Sequence, residues 1–594
     1  MSDNFHYFIV TSLNDNLKKK KIILSDISLV NNFAEKKIFE KEKNITLIDD
    51  IWNNPKQVEL DYLLIEKLLN IYAAKVGDYL NKFHGLNKTQ KYWDILILPW
   101  LVYYLSSMLH RWRVVKKALT ISNKKILFYN YKNKKDLKIF TTIDFAKYAE
   151  SSEMFNYQLF RKIIGFLSKE NDIRFLDSND ALKHPEKKIL KITEYLKPFF
   201  FKIVDKLIIF FSKNNSIYIE KELFNYYSYF KLNLKLKQFP QIFKFLFNYK
   251  LDNNFFYKIN YNKNKRNSVE FDDNKKIDSE YSFQEFLNKT IQFDIPLCFL
   301  EGYNENLKRN KEIKINPKII LSSYAYFHNE RFKLWAADRV CSKNTKLYVA
   351  DHGAGEQLKF NGGFRISEKV VEKRITWAKP RSHKDYQLPA LGLRMLKRER
   401  KNETYLTYVE HKSTQFANKI GPYKLDFLNV ENILILKKNL NNKVFNSLKY
   451  IRFEKFFNTE AKEIKKILDK KFINKHLVLK KYIPLSKIVI CTYPETGFTE
   501  SLISGPTILL NDKQPPFLSD SMGDLMDSLL NCKIAFNDTK KACEHINSIW
   551  DNPYKWWNSK EVQISIEKFK SEFVFVSKKP IESWYRFFKD EINK

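Results

Sequence analysis

The chain has few cysteines, and none of the five (Cys298, Cys341, Cys491, Cys532 and Cys543) forms a CxxC pair. Their odd number and wide spacing exclude a disulfide framework and a zinc knuckle and imply a reducing compartment. Met1 to Tyr7 lacks the basic-then-apolar order of a signal peptide. Long apolar runs are also missing: Ile95 to Leu109 is bounded by Asp94 and His110, and Phe199 to Phe211 is broken by Lys202, Asp205 and Lys206. Neither reaches the about 18 residues that a membrane span needs. A cytoplasmic protein is expected, able to rest peripherally on the anionic inner membrane face at about 1 kcal/mol per well-placed basic residue. No internal repeat and no RNP-like, KH-like or zinc-finger pattern is present, so no specific nucleic-acid module is indicated.

Acidic residues are short too. Asp and Glu number 68 against 104 Lys and Arg, a net charge of +36. That value suits a polyanion binder, but 44% hydrophobic and 15% aromatic residues exclude a disordered basic tail and supply sizeable cores. Scarce glycine (13) and proline (17) beside abundant Lys, Asn, Ile, Phe and Tyr fit a chain whose tolerant positions drifted under AT-rich codons. The lysines fall in short dispersed runs, such as Lys18 to Lys21, Lys124 to Lys125 and Lys470 to Lys471. We therefore read them as a solvated surface whose field attracts anionic ligands. At 594 residues, the chain implies two or more lobes on a prior of roughly 150 residues per domain.

The hydrophobic pattern alternates between strand and helix periods. Short β-rich runs at His6 to Thr11, Ile22 to Leu24 and Ile45 to Ile48 precede long helical patterns at Glu59 to Lys82 and Thr89 to Ala118. A strand at Ile126 to Tyr129, a helix at Ile143 to Leu167, weaker strands at Phe175 to Leu176 and Ile217 to Ile219, and a helix at Ile189 to Ser212 follow. Asn260 to Glu280 is charged and Asn-rich and reads as a surface insertion or a boundary loop. A βαβ unit follows, with strands Lys318 to Leu321 and Lys346 to Ala350 around a helix at Asn329 to Arg339; Lys373 to Trp377 is a third extended run. The basic stretch Lys397 to Asn402 marks a domain boundary. Beyond it, strands are expected at Tyr405 to Val409, Ile433 to Leu436, Ile488 to Ile490 and Thr507 to Leu510. Helices are expected at Thr459 to Lys471, Phe498 to Ile503, Lys540 to Trp557 and Val562 to Phe573. This order predicts an α/β protein with parallel sheets covered by helices.

Two strand-end turns carry the candidate chemistry. In Thr492-Tyr493-Pro494-Glu495-Thr496-Gly497, a strand runs into a turn and then a short helix, an arrangement that points free amides at an anion or nucleotide. Thr496 can cap that helix, Gly497 lets a phosphate approach, and Glu500 can accept hydrogen bonds from ribose hydroxyls. In Asp351-His352-Gly353-Ala354-Gly355-Glu356, two glycines permit close backbone approach, and His352 can act as acid or base or stabilise a leaving phosphate. Asp351 or Glu356 can orient it or serve as the base. A third stretch, His110-Arg111-Trp112-Arg113, sits on an aromatic helix of core type; Arg111 and Arg113 are candidates for bidentate contact with a phosphate or carboxylate.

These stretches resemble a bacterial family of surface-carbohydrate transferases whose genes accompany pathways for nonulosonate sugars. The resemblance rests on Tyr92-Trp93…Trp100…Arg111-Trp112, on Asp351-His352-Gly353-Ala354 with Thr376-Trp377-Ala378, on Tyr493-Pro494-Glu495-Thr496-Gly497-Phe498-Thr499-Glu500…Pro506-Thr507, and on Trp556-Trp557…Val562-Gln563. Asp351 stands where the family tends to have Gln, Ala354 and Ala378 stand where it has Gly, and Gly497 and Thr499 interrupt its TTxLE run.

The resemblance implies a GT-B-like glycosyltransferase of two Rossmann-type lobes, residues 1–400 and 401–594, with the site in the cleft between them. The second lobe would bind a nucleotide-activated sugar, CMP-linked by the family's gene context, through Thr492, Thr496, Gly497 and Glu500 together with Gly353 and Gly355. The acceptor would be a glycan or a lipid-linked glycan. No cofactor and no metal is implied, and no DxD motif occurs in a suitable turn. The C-terminal Trp-rich helices would cross back to brace the first lobe. The alternatives are a teichoic-acid-type polyol phosphotransferase using a CDP donor and a non-catalytic basic nucleic-acid binder.

Overall fold

A computed structural model describes residues 5–12, 20–26, 29, 33–132, 136–178, 180, 182, 210–220, 223–240, 255–269, 271, 280–353, 358, 362–390, 398, 402–410, 414–420, 427–452, 458–473, 479–511 and 519–594. The first sheet holds β1 (His6–Ile9), β2 (Ile22–Leu24), β3 (Ile45–Leu47), β4 (Lys125–Tyr131) and β5 (Asp172–Ser178) in the order β3-β2-β1-β4-β5. All of its pairings are parallel. Side chains alternate across β1: Phe8 enters a core shared with the following helices, whereas Tyr7 and Ile9 enter a second core shared with the third sheet.

The helices on the first sheet start where polar caps dictate. Asn54 accepts from the Lys56 amide before Pro55 to open α1 (Pro55–His84), and Thr89 opens α2 (Gln90–Ile121). By length and composition α2 could cross a membrane, yet 89% of its most apolar window is buried inside the protein, as suits a core helix. Where periodicity predicts one helix at 143–167 there are two, α3 (Thr142–Ser151) and α4 (Glu153–Leu167). Ser152 ends the first, and its side chain accepts from the Phe155 amide to cap the second.

The second sheet is also parallel, with β6 (Ile217–Ile219), β7 (Ile319–Ser322), β8 (Lys346–Ala350), β9 (Lys373–Thr376) and β10 (Asp385–Gln387) in the order β10-β9-β8-β7-β6. Its helices include α5 (Tyr226–Lys235), α6 (Ala325–His328) and α7 (Glu330–Lys343). One face of this sheet (Ile320, Leu347, Val349) joins the core around α2. The described start of the segment at 260–280 is anchored: Arg266 is fully buried, held bidentately by Glu301 and bonded to the carbonyls of Gln292 and Ile295. Most of the helix expected at 189–212 lies outside the described residues.

The third sheet comprises β11 (Tyr405–Val409), β12 (Leu448–Ile451), β13 (Phe472–Ile473), β14 (Ser486–Cys491), β15 (Thr507–Leu510) and β16 (Ala535–Phe536), parallel in the order β13-β12-β11-β14-β15-β16. The strand order reverses between β11 and β14. The strand expected at Ile433 to Leu436 belongs instead to α8 (Leu428–Asn439), which buries Val430, Ile433 and Leu436 at three-residue intervals. A four-residue apolar run does not by itself distinguish the two periods. The remaining helices numbered here are α9 (Thr496–Leu502), α10 (Asp520–Asn531), α11 (Lys560–Phe573) and α12 (Pro580–Asn593).

After covering the third sheet, the chain returns to the second. The Phe575 amide donates to the Trp377 carbonyl, and Trp584, Phe587 and Phe588 of α12 fill the core under Ile319, Leu321 and Tyr348. The C-terminal helices therefore brace an earlier sheet, as expected. The architecture is α/β, and the described residues form three parallel sheets flanked by helices.

Candidate functional site

The first turn begins where β8 ends. The Asp351 amide continues the ladder to the Ile375 carbonyl, and the Asp351 side chain is 1% exposed. Burying a carboxylate demands partners. Arg374 donates to Oδ1 at 2.7 Å and Thr376 to Oδ2 at 2.8 Å, both from neighbouring β9. This locks the residue immediately before His352 to the sheet. His352 itself is exposed, with its ring 5.2 Å from that of Tyr324.

Sequence reasoning missed what lies behind that ring. Tyr324 follows β7 and also packs on His328, centroids 4.3 Å apart, so it sits between two imidazoles. Burial, with the positive field of His352, Lys333, Lys419 and Lys147, pushes the His328 pKa down to about 3 and keeps its ring neutral near pH 7. Its Nδ1 is buried with no hydrogen-bond partner among the described residues. The turn is held from beneath by Glu220, which directly follows β6. Its buried carboxylate accepts from the Ser322 hydroxyl at 2.7 Å, from the Ser323 amide at 2.8 Å and from the Ala325 amide at 3.0 Å. The chain's own carboxylate thus occupies the amide-rich end of β7.

The second turn begins where β14 ends, at the order reversal between β11 and β14. Thr492 donates from its hydroxyl to the Val409 carbonyl at 3.4 Å, tying the two strand ends together. Thr496 is not the helix cap that its sequence position suggests. Glu495 holds the cap position in an extended conformation without a side-chain capping bond, and Thr496 is the first helical residue. The amides of Thr496, Gly497 and Phe498 therefore open α9 outside its helical ladder and present a positive helix end. A Cβ on Gly497 would reach only ordinary contact with Leu479 and Val409, and Glu500 is partly exposed on the next turn.

These two turns, from different sheets and far apart in sequence, meet. A Cβ on Gly353 would overlap the Thr496 hydroxyl. Glycine at 353 is thus required by a close approach of the two turns. Gly505 has a similar role: φ is +154°, and a Cβ would press on Arg398, whose guanidinium donates to the carbonyls of Ser486 at 2.5 Å and Pro506 at 3.1 Å. That arginine, from the basic stretch read as a boundary, is built into the third sheet. Gly355 and Glu356 lie outside the described residues.

Arg111 and Arg113 are engaged elsewhere. Arg111 is fully buried on α2 and donates to Asn156 and to the backbone carbonyls of Ala149 and Ala417. Burial lowers its pKa to about 9. Arg113 donates to Asp61 at 3.0 Å and to Glu280 at 2.6 Å. The pairing expected with a substrate is made with the chain itself. Among the described residues no group of three His, Cys, Asp or Glu side chains is placed to hold a metal ion.

The LIC12162 family transferase model matches residues 6–588. The chain belongs to this family of transferases. No curated protein matches it. The family match spans all three sheets and both turns, so in this LIC12162 family member the turns belong to one continuous family architecture.

Proposed function

We propose that this LIC12162 family member is a GT-B-like glycosyltransferase that moves a sugar from a nucleotide-activated donor to a surface-glycan acceptor. The observation that carries the reading is the close approach of Gly353 to Thr496. It sets an exposed imidazole at the end of one parallel sheet beside the uncapped helix start at the switch point of another. The third sheet has the strand order of a Rossmann-type nucleotide lobe, and donors in such folds lie across the carboxyl ends of the strands at the reversal.

In this reading the amides of Thr496 and Gly497 receive the donor phosphate, Thr492 ties the ends of β11 and β14 together, and Glu500 takes the ribose hydroxyls. His352 faces the reacting centre, as a base for the acceptor hydroxyl or as an imidazolium beside the departing phosphate. Asp351 acts as a positioning residue, because its carboxylate is committed to Arg374 and Thr376. Helix amides and cationic side chains supply the charge stabilisation without a metal. A CMP-linked nonulosonate donor and a lipid-linked acceptor at the cytoplasmic membrane face complete the proposal.

The test is His352→Ala with nucleotide release as the readout. Transfer should fall by roughly two to four orders of magnitude, the usual contribution of a positioned acid or base, with folding and nucleotide affinity retained. Full transfer by the variant removes the assignment. Release from a CDP-polyol in place of a nucleotide sugar would establish the phosphotransferase reading instead.

A further inference from the structure

The edge of the second sheet carries an apolar surface that the site does not use. The inner face of α5 places Tyr229 and Leu232 in the core beneath β6 and β7. Its outer face presents Tyr227 and Leu234, 67% and 69% exposed, on neighbouring turns with exposed Lys231 between them. Lys231 lies over the Tyr227 ring, 5.3 Å from its centroid, and bonds its hydroxyl at 3.0 Å.

The helix then leads through exposed Lys237 to Phe239, which Asn215 pins by paired bonds, its amide group donating to the Phe239 carbonyl at 2.7 Å and its carbonyl accepting from the Phe239 amide at 3.0 Å. Phe239 stacks on exposed Phe211 at 5.2 Å. Phe210, 61% exposed, adjoins Phe211, and Lys213 lies over its ring.

Three properties converge on one kind of partner. The apolar groups are a leucine and exposed aromatic rings. The charges on α5 and the segments flanking it are lysines, one of which, Lys235, pairs with Glu582 of α12, and within residues 210–220 and 223–240 the only acid is Glu220. Glu220 is removed from the surface by its burial under β7. A second copy of this face would repel the first through its lysines. A nucleic acid would satisfy the lysines but leave Leu234 without an apolar partner. A bilayer containing anionic lipid satisfies both sets of groups, with rings at the headgroup boundary and ammonium groups among the phosphates.

We infer that the face formed by Phe210, Phe211, Tyr227, Lys231, Leu234 and Phe239 docks the protein on an anionic membrane surface. It lies on the sheet whose β6 end supplies Glu220 to the site, so docking there holds that sheet at the bilayer. The inference does not depend on which group the enzyme transfers.

The test is co-sedimentation of the full chain with phosphatidylcholine vesicles with and without phosphatidylglycerol, at low and high salt. The wild type should bind the phosphatidylglycerol vesicles and be released by salt. Tyr227→Ser with Leu234→Ser should weaken binding roughly tenfold, and Lys231→Glu with Lys237→Glu should weaken it at least as much. Both pairs are exposed, and unchanged thermal melting will confirm that the variants remain folded. Failure of the wild type to bind, binding unchanged in both variants, or a solution dimer that these variants dissociate would each overturn the inference.

Discussion

Gly353 was legible as a functional glycine only in part. Its place after a buried strand indicated a turn, but the reason for glycine is the Thr496 hydroxyl, more than a hundred residues away. Gly353→Ala forces the Thr496 hydroxyl to turn away or the two turns to move apart. We expect a loss of roughly 1–3 kcal/mol in chemical denaturation and a larger fall in transfer than in stability. Thr496→Ala, which removes the hydroxyl, should relieve the stability loss of Gly353→Ala.

His352 and Asp351 were both visible from sequence, yet their roles differ because the second is buried against Arg374. Arg111 shows the converse. An arginine on an aromatic helix has the same sequence signature whether it faces a ligand or plugs a core, and only the carbonyls of Ala149 and Ala417 decide. Arg111→Met should lower stability by roughly 3 kcal/mol and leave the KM for donor unchanged. A raised KM with unaltered stability would return Arg111 to the site.

At the level of elements, most strand positions were readable as apolar runs bounded by polar turns, whereas β10, β12, β13 and β16, none longer than four residues, were missed. What failed was local ambiguity and distant partnership. The Ile433 to Leu436 run is helical because α8 buries one residue in three on its inner face, a fact that depends on what packs beneath it. The turn after β7 gave no signal, since Tyr324 and His328 resemble ordinary aromatic residues until Glu220 and His352 are placed around them.

The Glu220 carboxylate organises that turn, and its loss leaves buried amides unsatisfied. Glu220→Ala should cost roughly 2–3 kcal/mol and reduce transfer by displacing Tyr324 from His352. Glu220→Gln should recover much of the stability, since the amide oxygen can still accept from Ser323 and Ala325. Denaturation midpoints and turnover measured on both variants check this ordering.

For the whole molecule, the alternation of strand and helix runs indicated an α/β protein but not the number of sheets. The first sheet was readable strand by strand. Its separation from the other two, and the core it shares with the third through Tyr7, Ile9, Leu406 and Tyr408, arise from contacts across the length of the chain. The charge of +36 likewise described a surface without locating any site on it.

Titration of buried groups gives a prediction at the same scale. Burial lowers His84 and His545 to about 4 and His328 to about 3, from 6.5. Below pH 6.5 the unfolded chain binds protons that these rings refuse in the fold, so stability falls as pH drops toward 4. Each ring costs about 1.4 kcal/mol for every tenfold loss of its proton affinity on folding. Asp144 opposes this: burial raises it to about 6, so its contribution is present at low pH and lost as pH rises from 3.8 through 6. Melting temperature should decline below pH 6.5, and His84→Asn with His545→Asn should flatten the slope. A melting temperature that rises toward pH 4 would contradict the assignment of neutral buried histidines.

The central claim is that the two strand-end turns form one nucleotide-sugar site. It is tested most directly by calorimetric titration of CMP, CDP, UDP and GDP into the wild type, His352→Ala and Glu500→Ala. One nucleotide should bind the wild type and His352→Ala with similar affinity and bind Glu500→Ala roughly tenfold or more weakly, the loss of one or two hydrogen bonds to ribose. No binding by any of the four, or binding that Glu500→Ala leaves unchanged, would contradict it.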